Sequence, residues 1–148
     1  MNSNDAVYER KINYYETDKM GVVHHSNYIR FLEEARCFFM DVWGIPFSKF
    51  EEADLTIPVL GVNCTYKRHV TFDDTILLKV YVKDFNGVRL NICYSVVNKE
   101  TGEEVIKAET KHCFTTKDLK PVNLKKVAPN FSEKFKKLKE DYLEMINK

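Results

Sequence analysis

The chain has 148 residues, of which 44% are hydrophobic, 30% charged and 13% aromatic, and its formal net charge is +1. That length suits one domain with a sizeable core, and the near-neutral charge provides no global field for nucleic acid or an anionic membrane. Cys37, Cys64, Cys93 and Cys113 form no CxxC pair, and no secretion signal or membrane-length apolar run is visible, so free thiols in a cytoplasmic protein are expected, with no nucleic-acid or membrane partner.

In chain order, Ala6 to Tyr15 reads as a short strand. A polar turn follows that holds Asp18, His24, His25, Ser26 and Asn27. From Tyr28 the apolar residues recur at Phe31, Leu32, Ala35, Phe38, Phe39, Val42 and Trp43, the spacing of a helix with one broad apolar face. Ser26 or Asn27 suits its N-cap, and Gly44 with Pro46 marks its stop. The period then falls to two. Val62, Cys64 and Tyr66 alternate with polar residues, as do Leu78, Val80 and Val82, then Leu90, Ile92, Tyr94 and Val96. Ile106, Ala108, Thr110, His112 and Phe114 form a further alternating set. These are strands with one face more buried than the other, joined by short turns. Asn86-Gly87 predicts a two-residue hairpin. A last amphipathic helix, at about 130–147, has Asn130 and Glu133 spaced as a capping box.

A single antiparallel sheet must cover one apolar face, and the Tyr28–Trp43 helix is the central element apolar enough to do so. The expected fold is therefore α+β: a hotdog, with a five-stranded antiparallel sheet wrapped around a long central helix and a C-terminal helix. The whole of 1–148 reads as one domain.

The stretch "YYETDKMGVVHHSNYIRFLEEAR" resembles the signature of the 4-hydroxybenzoyl-CoA thioesterase family of hotdog acyl-CoA thioesterases. The likeness lies in Tyr15, Thr17-Asp18, Gly21-Val22-Val23, Asn27-Tyr28 and Glu34-Ala35-Arg36. "YKRHVTFDDTI" resembles that family's second strand and turn, with Tyr66 and Asp74 in register. His24 stands where an aromatic residue is common, and His69-Val70 replaces an expected proline region. The resemblance implies an acyl-CoA substrate, a catalytic carboxylate at Asp18, no cofactor, and a homodimer or homotetramer with sites at the subunit interface.

Thioester hydrolysis needs electrophilic help at the carbonyl oxygen and a nucleophile or base at the carbon. A helix N-terminus supplies the first, because its leading N–H groups lack intrahelical partners and its dipole favours negative charge. Asp18 supplies the second, by direct attack or by activating water. The amides near His25, Ser26 and Asn27 are the expected donors, which makes His25 catalytic beside Asp18. Tyr15, Gly21, Val23, His24, Tyr28 and Phe31 are expected to line the substrate site, although Phe31 is most simply read as core. Lys67, Arg68 and Arg89 are solvated strand residues or a patch for the CoA phosphates. Taken alone, Asp18 is a turn former. His24 and His25 would face opposite ways on an extended segment, and no third ligand completes a metal site. His69 and His112 read as structural. Two other functions share this fold: dehydration of a hydroxyacyl thioester, and acyl-CoA binding without catalysis.

Overall fold

The first strand is shorter than its sequence suggests. In a computed structural model, which describes residues 5–148, β1 covers only Tyr8–Lys11, and the chain then tightens into a 3-10 turn at Tyr14–Glu16. Glu16 closes that turn twice. Its carboxylate accepts from the Asn13 N–H at 2.8 Å, and its own N–H donates to the Asn13 carbonyl at 3.0 Å. These local bonds offer the backbone an alternative to the sheet.

Helix α1 spans Ser26–Val42. Its stop is as expected: Gly44 has φ +79°, a left-handed conformation that suits glycine. Its start is not. Ser26 and Asn27 both lie inside the helix, and His25 holds the cap position in a helical conformation. The side chain that serves the first turn is His24, whose Nδ1 accepts from the Ser26 N–H at 3.2 Å.

A short helix, α2 (Phe47–Glu52), and a two-residue strand, β2 (Leu55–Thr56), come next. The main strands are β3 (Val59–Tyr66), β4 (Thr75–Phe85), β5 (Arg89–Asn98) and β6 (Glu104–Cys113). After them come β7 (Thr115–Thr116), which pairs with β2, α3 (Leu124–Val127) and α4 (Pro129–Ile146). The five-stranded sheet has the order β1–β4–β5–β6–β3 with every pair antiparallel. This is the expected α+β hotdog.

The β4–β5 turn is shifted by one residue from the Asn86-Gly87 reading. Asn86 donates to the Arg89 carbonyl at 3.2 Å, so Gly87 and Val88 form the turn, and Gly87 takes φ +94°. The predicted capping box of the last helix does not form either. Ala128 is its N-cap and makes no side-chain cap, and Pro129 begins the helix, where its missing N–H costs nothing.

The core lies between α1 and the sheet. Phe31, Leu32, Ala35, Phe39 and Met40 pack against Ile76, Leu78, Val80, Leu90 and Ile92, all buried. Each large apolar side chain stabilises the fold by about 1.5–3 kcal/mol on burial. Strand β3 departs from its alternating pattern. It is an edge strand, and Val62 and Tyr66, read as inward, are both exposed.

A polar row runs through this core. Arg36 Nη1 donates to the Tyr94 hydroxyl at 3.0 Å. The Tyr94 and Thr110 hydroxyls are 2.7 Å apart, and Thr110 Oγ1 is 2.7 Å from His112 Nε2. Burial, assisted by the Arg36 charge, pushes His112 down from 6.5 to about 4, against the opposing carbonyls of Ile57 and Pro58. The folded state therefore holds His112 neutral. The resulting stability is fully present above about pH 6.5 and is lost as pH falls towards 4. The full effect is on the order of 3 kcal/mol. Denaturant unfolding at pH 7 and pH 4.5 should show a steeper acid loss for the wild type than for His112→Gln. Parallel losses in the two proteins would contradict this.

Candidate active site

The loop between β1 and α1 is held in shape by its backbone. The Asp18 N–H donates to the Val22 carbonyl at 2.8 Å, and the Gly21 N–H donates back to the Asp18 carbonyl at 3.0 Å. Gly21 takes φ +80° to close the reversal. Val23 N–H donates to the Val70 carbonyl at 2.9 Å, which fastens the loop to the segment after β3. Asp18 is half-buried, and its Oδ1 accepts from the Met20 N–H at 2.8 Å.

A buried ionic clamp fixes the base of this loop. Arg10 on β1 reaches Glu16 through both Nη atoms, with Nη2 2.7 Å from Oε2, and its Nε lies 3.0 Å from Glu34 Oε1. The Tyr8 hydroxyl donates to the same Glu34 oxygen at 2.9 Å, and the guanidinium lies over the Phe31 ring at 4.5 Å. Burial opposes the Arg10 charge, but hydrogen bonds to Glu16 and Glu34 hold its pKa above the ordinary value. The Glu16 carbonyl in turn accepts from the His24 N–H at 2.9 Å and from Asn27 Nδ2 at 2.8 Å. Glu16 thus ties the strand and the loop together through its carboxylate and the helix start through its carbonyl. Sequence reasoning missed this clamp, because Arg10, Glu16 and Glu34 share no local spacing.

At the helix start the amides are not equivalent. Ser26 N–H goes to the His24 ring, Asn27 N–H to the His24 carbonyl at 2.9 Å, and Tyr28 N–H to the His25 carbonyl at 3.3 Å. The His25 N–H has no acceptor among the described residues. Of the three amides expected to polarise a carbonyl, those of Ser26 and Asn27 are spent, and His25 alone is open. The positive end of the 17-residue helix reinforces it.

A cleft of about 290 Å³ brings Asp18 and His25 together with Val23, Tyr28, Tyr66 and Lys67. Arg68 and His69 also border it. The aromatic wall is packed: Tyr28 and Tyr66 ring centres are 5.4 Å apart, and Tyr66 stands edge-on to His25 at 6.4 Å. Burial pushes Tyr28 up to about 12, so it stays a neutral phenol. His24 and His25 do not face opposite ways. Their rings stack with centres 4.3 Å apart, because His25 has already turned into helical backbone.

Several expected site residues lie elsewhere. Tyr15 is 79% exposed on the 3-10 turn, where its hydroxyl accepts from Asn13 Nδ2. Phe31 is 1% exposed and belongs to the core beneath Arg10. Arg89 begins β5 and pairs with Cys113, whereas Tyr66 pairs with Ile106 and through it with Val96. Seven residues of extended strand separate Arg89 from Val96, about 23 Å, so Arg89 sits at the far end of the sheet from Lys67 and Arg68. Gly21, Ser26 and Asn27 shape the loop and helix start rather than line the cleft. His69, read as structural, is exposed at the cleft. The missed signal was that β3 ends at Tyr66, so the "KRH" that follows is free to turn towards the loop.

The profile of the thioesterase-like superfamily matches residues 12–138. An Aquifex aeolicus protein provisionally named an esterase is 36% identical over 108 residues, covering 73% of this chain and 83% of its own. The Bacillus subtilis protein YneP, provisionally named an acyl-CoA thioesterase, is 30% identical over 132 residues, covering 88% and 95%. The crystal structure titled DHNA-CoA thioesterase from Staphylococcus aureus superposes with TM-score 0.87 at 28% identity, covering 97% of this chain and 95% of that one. With its fold, its cleft and these likenesses in agreement, the chain belongs to the thioesterase-like superfamily.

Proposed function

We propose that the chain hydrolyses acyl-CoA thioesters to a carboxylic acid and free CoA, in the manner of the 4-hydroxybenzoyl-CoA thioesterases that its signature resembles. The observation that carries this reading is the meeting of the Asp18 carboxylate and the open His25 N–H in one cleft at the positive end of α1. The names borne by YneP and by the Staphylococcus aureus structure support it. The thioester oxygen accepts from the His25 N–H, which stabilises the charge that develops there. Asp18 then attacks the carbonyl carbon and expels the CoA thiolate, leaving an anhydride that water opens. Alternatively Asp18 takes a proton from the attacking water. Val23, Tyr28 and Tyr66 form the walls beside the reacting carbon. Release of free thiol separates hydrolysis from dehydration, which keeps the thioester, and from binding alone.

Lys67 and Arg68 hold the CoA phosphates in this reading. Lys67 makes no ion pair among the described residues, and Arg68 has only an exposed pair with Glu103 at 2.9 Å. Exposed charges contribute on the order of 0.2–1 kcal/mol each and weaken with salt. KM for acyl-CoA should therefore rise with ionic strength while kcat holds. Replacing Lys67 and Arg68 together by Gln should mimic that rise and blunt the salt dependence. A substrate cut back to the pantetheine should respond to neither. Unaltered KM and salt response in the double variant would move the phosphates elsewhere.

The β3 edge carries exposed Val59, Leu60, Val62 and Tyr66 beside unpaired backbone groups. Such an edge pairs readily with a second chain. A homodimer through this edge, or a homotetramer of two such dimers, follows from it and from the family resemblance. Light scattering at micromolar concentration should give a dimer or larger, and a monomer would contradict the assembly.

A further inference from the structure

His24 and His25 share one turn but do different things there. His25 borders the cleft; His24 is not among the residues that do, although its ring is stacked on that of His25 at 4.3 Å. What His24 supplies is an acceptor. Its Nδ1 takes the Ser26 N–H at 3.2 Å and lies 2.8 Å from the Ser26 hydroxyl. Asn and Asp side chains make the same bond to the amide two residues on, and here an imidazole makes it. A ring nitrogen that accepts carries no proton, so the neutral ring holds its proton on Nε2.

This bond bears on the one open amide. Two peptide units meet at the His25 Cα. The first carries the open His25 N–H, and its carbonyl, that of His24, accepts from the Asn27 N–H at 2.9 Å. The second carries the Ser26 N–H, which has no acceptor besides His24 Nδ1 among the described residues. The carbonyl of that second unit takes the Tyr28 N–H only at 3.3 Å. The first unit is thus fixed through its carbonyl, and the second chiefly by the His24 ring. Without the ring acceptor the second unit keeps only its longer bond, and the direction of the His25 N–H spreads with it.

A proton on Nδ1 removes the acceptor. The ring then points a donor at a donor, and the Ser26 hydroxyl is the neighbouring group that can accept instead. The ring stays in place while the Ser26 N–H is released. The new charge also stands at the positive end of α1, where the helix dipole opposes it. Imidazole is the side chain that ordinarily changes charge between about pH 5 and about pH 8. His25 is stacked on this ring, and Asp18, Tyr28, Tyr66, Lys67, Arg68 and His69 lie around the cleft beyond it. Of these residue types only histidine ordinarily titrates in that interval, so His25 and His69 are the groups to be told apart from His24.

We propose that His24 is the positioning residue of the open His25 amide and serves only as a neutral ring, so that proton uptake at its Nδ1 releases the helix start. The catalytic consequence rests on the thioesterase reading: kcat falls, and KM does not rise, as His24 takes its proton.

Nuclear magnetic resonance of the full chain tests the bond without any turnover. In the wild type the Ser26 amide proton should be shifted downfield at about pH 8 and should lose that shift by about pH 5, in step with the His24 ring signals. His24→Asn, whose Oδ1 accepts from the same N–H but takes no proton, should keep the downfield shift throughout. His24→Phe, which keeps a ring on His25 but has no acceptor, should lack it throughout. Circular dichroism at both ends of the range checks folding, and if His24→Phe does not fold, the wild type and His24→Asn still decide. A Ser26 amide that moves with pH as much in His24→Asn as in the wild type answers to His25 or His69 and overturns the proposal. So does a wild-type Ser26 amide without the downfield shift at about pH 8. Steady-state kinetics on acyl-CoA then reads the consequence. Wild-type kcat should fall about fivefold more than that of His24→Asn across the range, the size of a lost helix cap, with KM little changed. His24→Phe should be slow at every pH, and His24→Asn should recover most of that loss. Superimposable pH profiles of the wild type and His24→Asn would overturn the positioning role. Should no thioester be cleaved at all, the amide shifts still decide the cap, so the two readings fail separately.

Discussion

Asp18→Asn should fold like the wild type and lose roughly two to four powers of ten in kcat. The amide keeps the shape of the carboxylate, and its oxygen still accepts from the Met20 N–H that now holds Oδ1 at 2.8 Å. It can neither attack a thioester carbon nor take a proton from water. KM should change little, because the cleft walls and the Lys67–Arg68 edge are untouched. Steady-state kinetics on the best substrate, with a thermal melt to confirm folding, makes the comparison. Near-wild-type turnover in the variant would remove Asp18 from the reaction path.

Arg10→Met should have the largest effect on stability. It strands the Glu16 carboxylate, 5% exposed, inside the clamp. Removing one partner of a buried ion pair costs about 3–5 kcal/mol, since the other charge is left without compensation. Adding Glu16→Gln to Arg10→Met removes that stranded charge and should restore part of the loss. The pattern is specific, because a purely steric defect at Arg10 would worsen with a second substitution. Activity should fall as well, since the Glu16 carbonyl anchors the His24 N–H and the Asn27 side chain at the helix start. A loss under about 1 kcal/mol for Arg10→Met would mean that the clamp does not hold the loop.

The fold was legible because its signals are periodic. The 3.6-residue stripe of α1 and the two-residue alternation of β4, β5 and β6 each name the buried face, and those residues are buried except Phe38 and Val42, which are half-buried. Where local chemistry competes with periodicity, the reading slipped. Glu16 bends the chain after β1, His24 rather than Ser26 serves the helix start, and β3 is exposed because it lies at an edge. Of the candidate site, the meeting of Asp18 and His25 in one cleft was legible, because one short loop joins them. The site was not legible where the sheet register decides. Lys67 and Arg89 both follow or begin strands, but antiparallel pairing sends them to opposite ends. The Arg36–Tyr94–Thr110–His112 row was hidden for the same reason, since three elements contribute to it.

The most direct measurement of the central claim is product release from a panel of aliphatic and aromatic acyl-CoA esters, with free CoA and the free acid quantified together. Hydrolysis at Asp18 and His25 predicts the two products in equal amounts from at least one ester, under multiple turnovers and without added metal. A wild-type protein that binds these esters yet releases no CoA, or that alters the acyl group while the thioester survives, would contradict it.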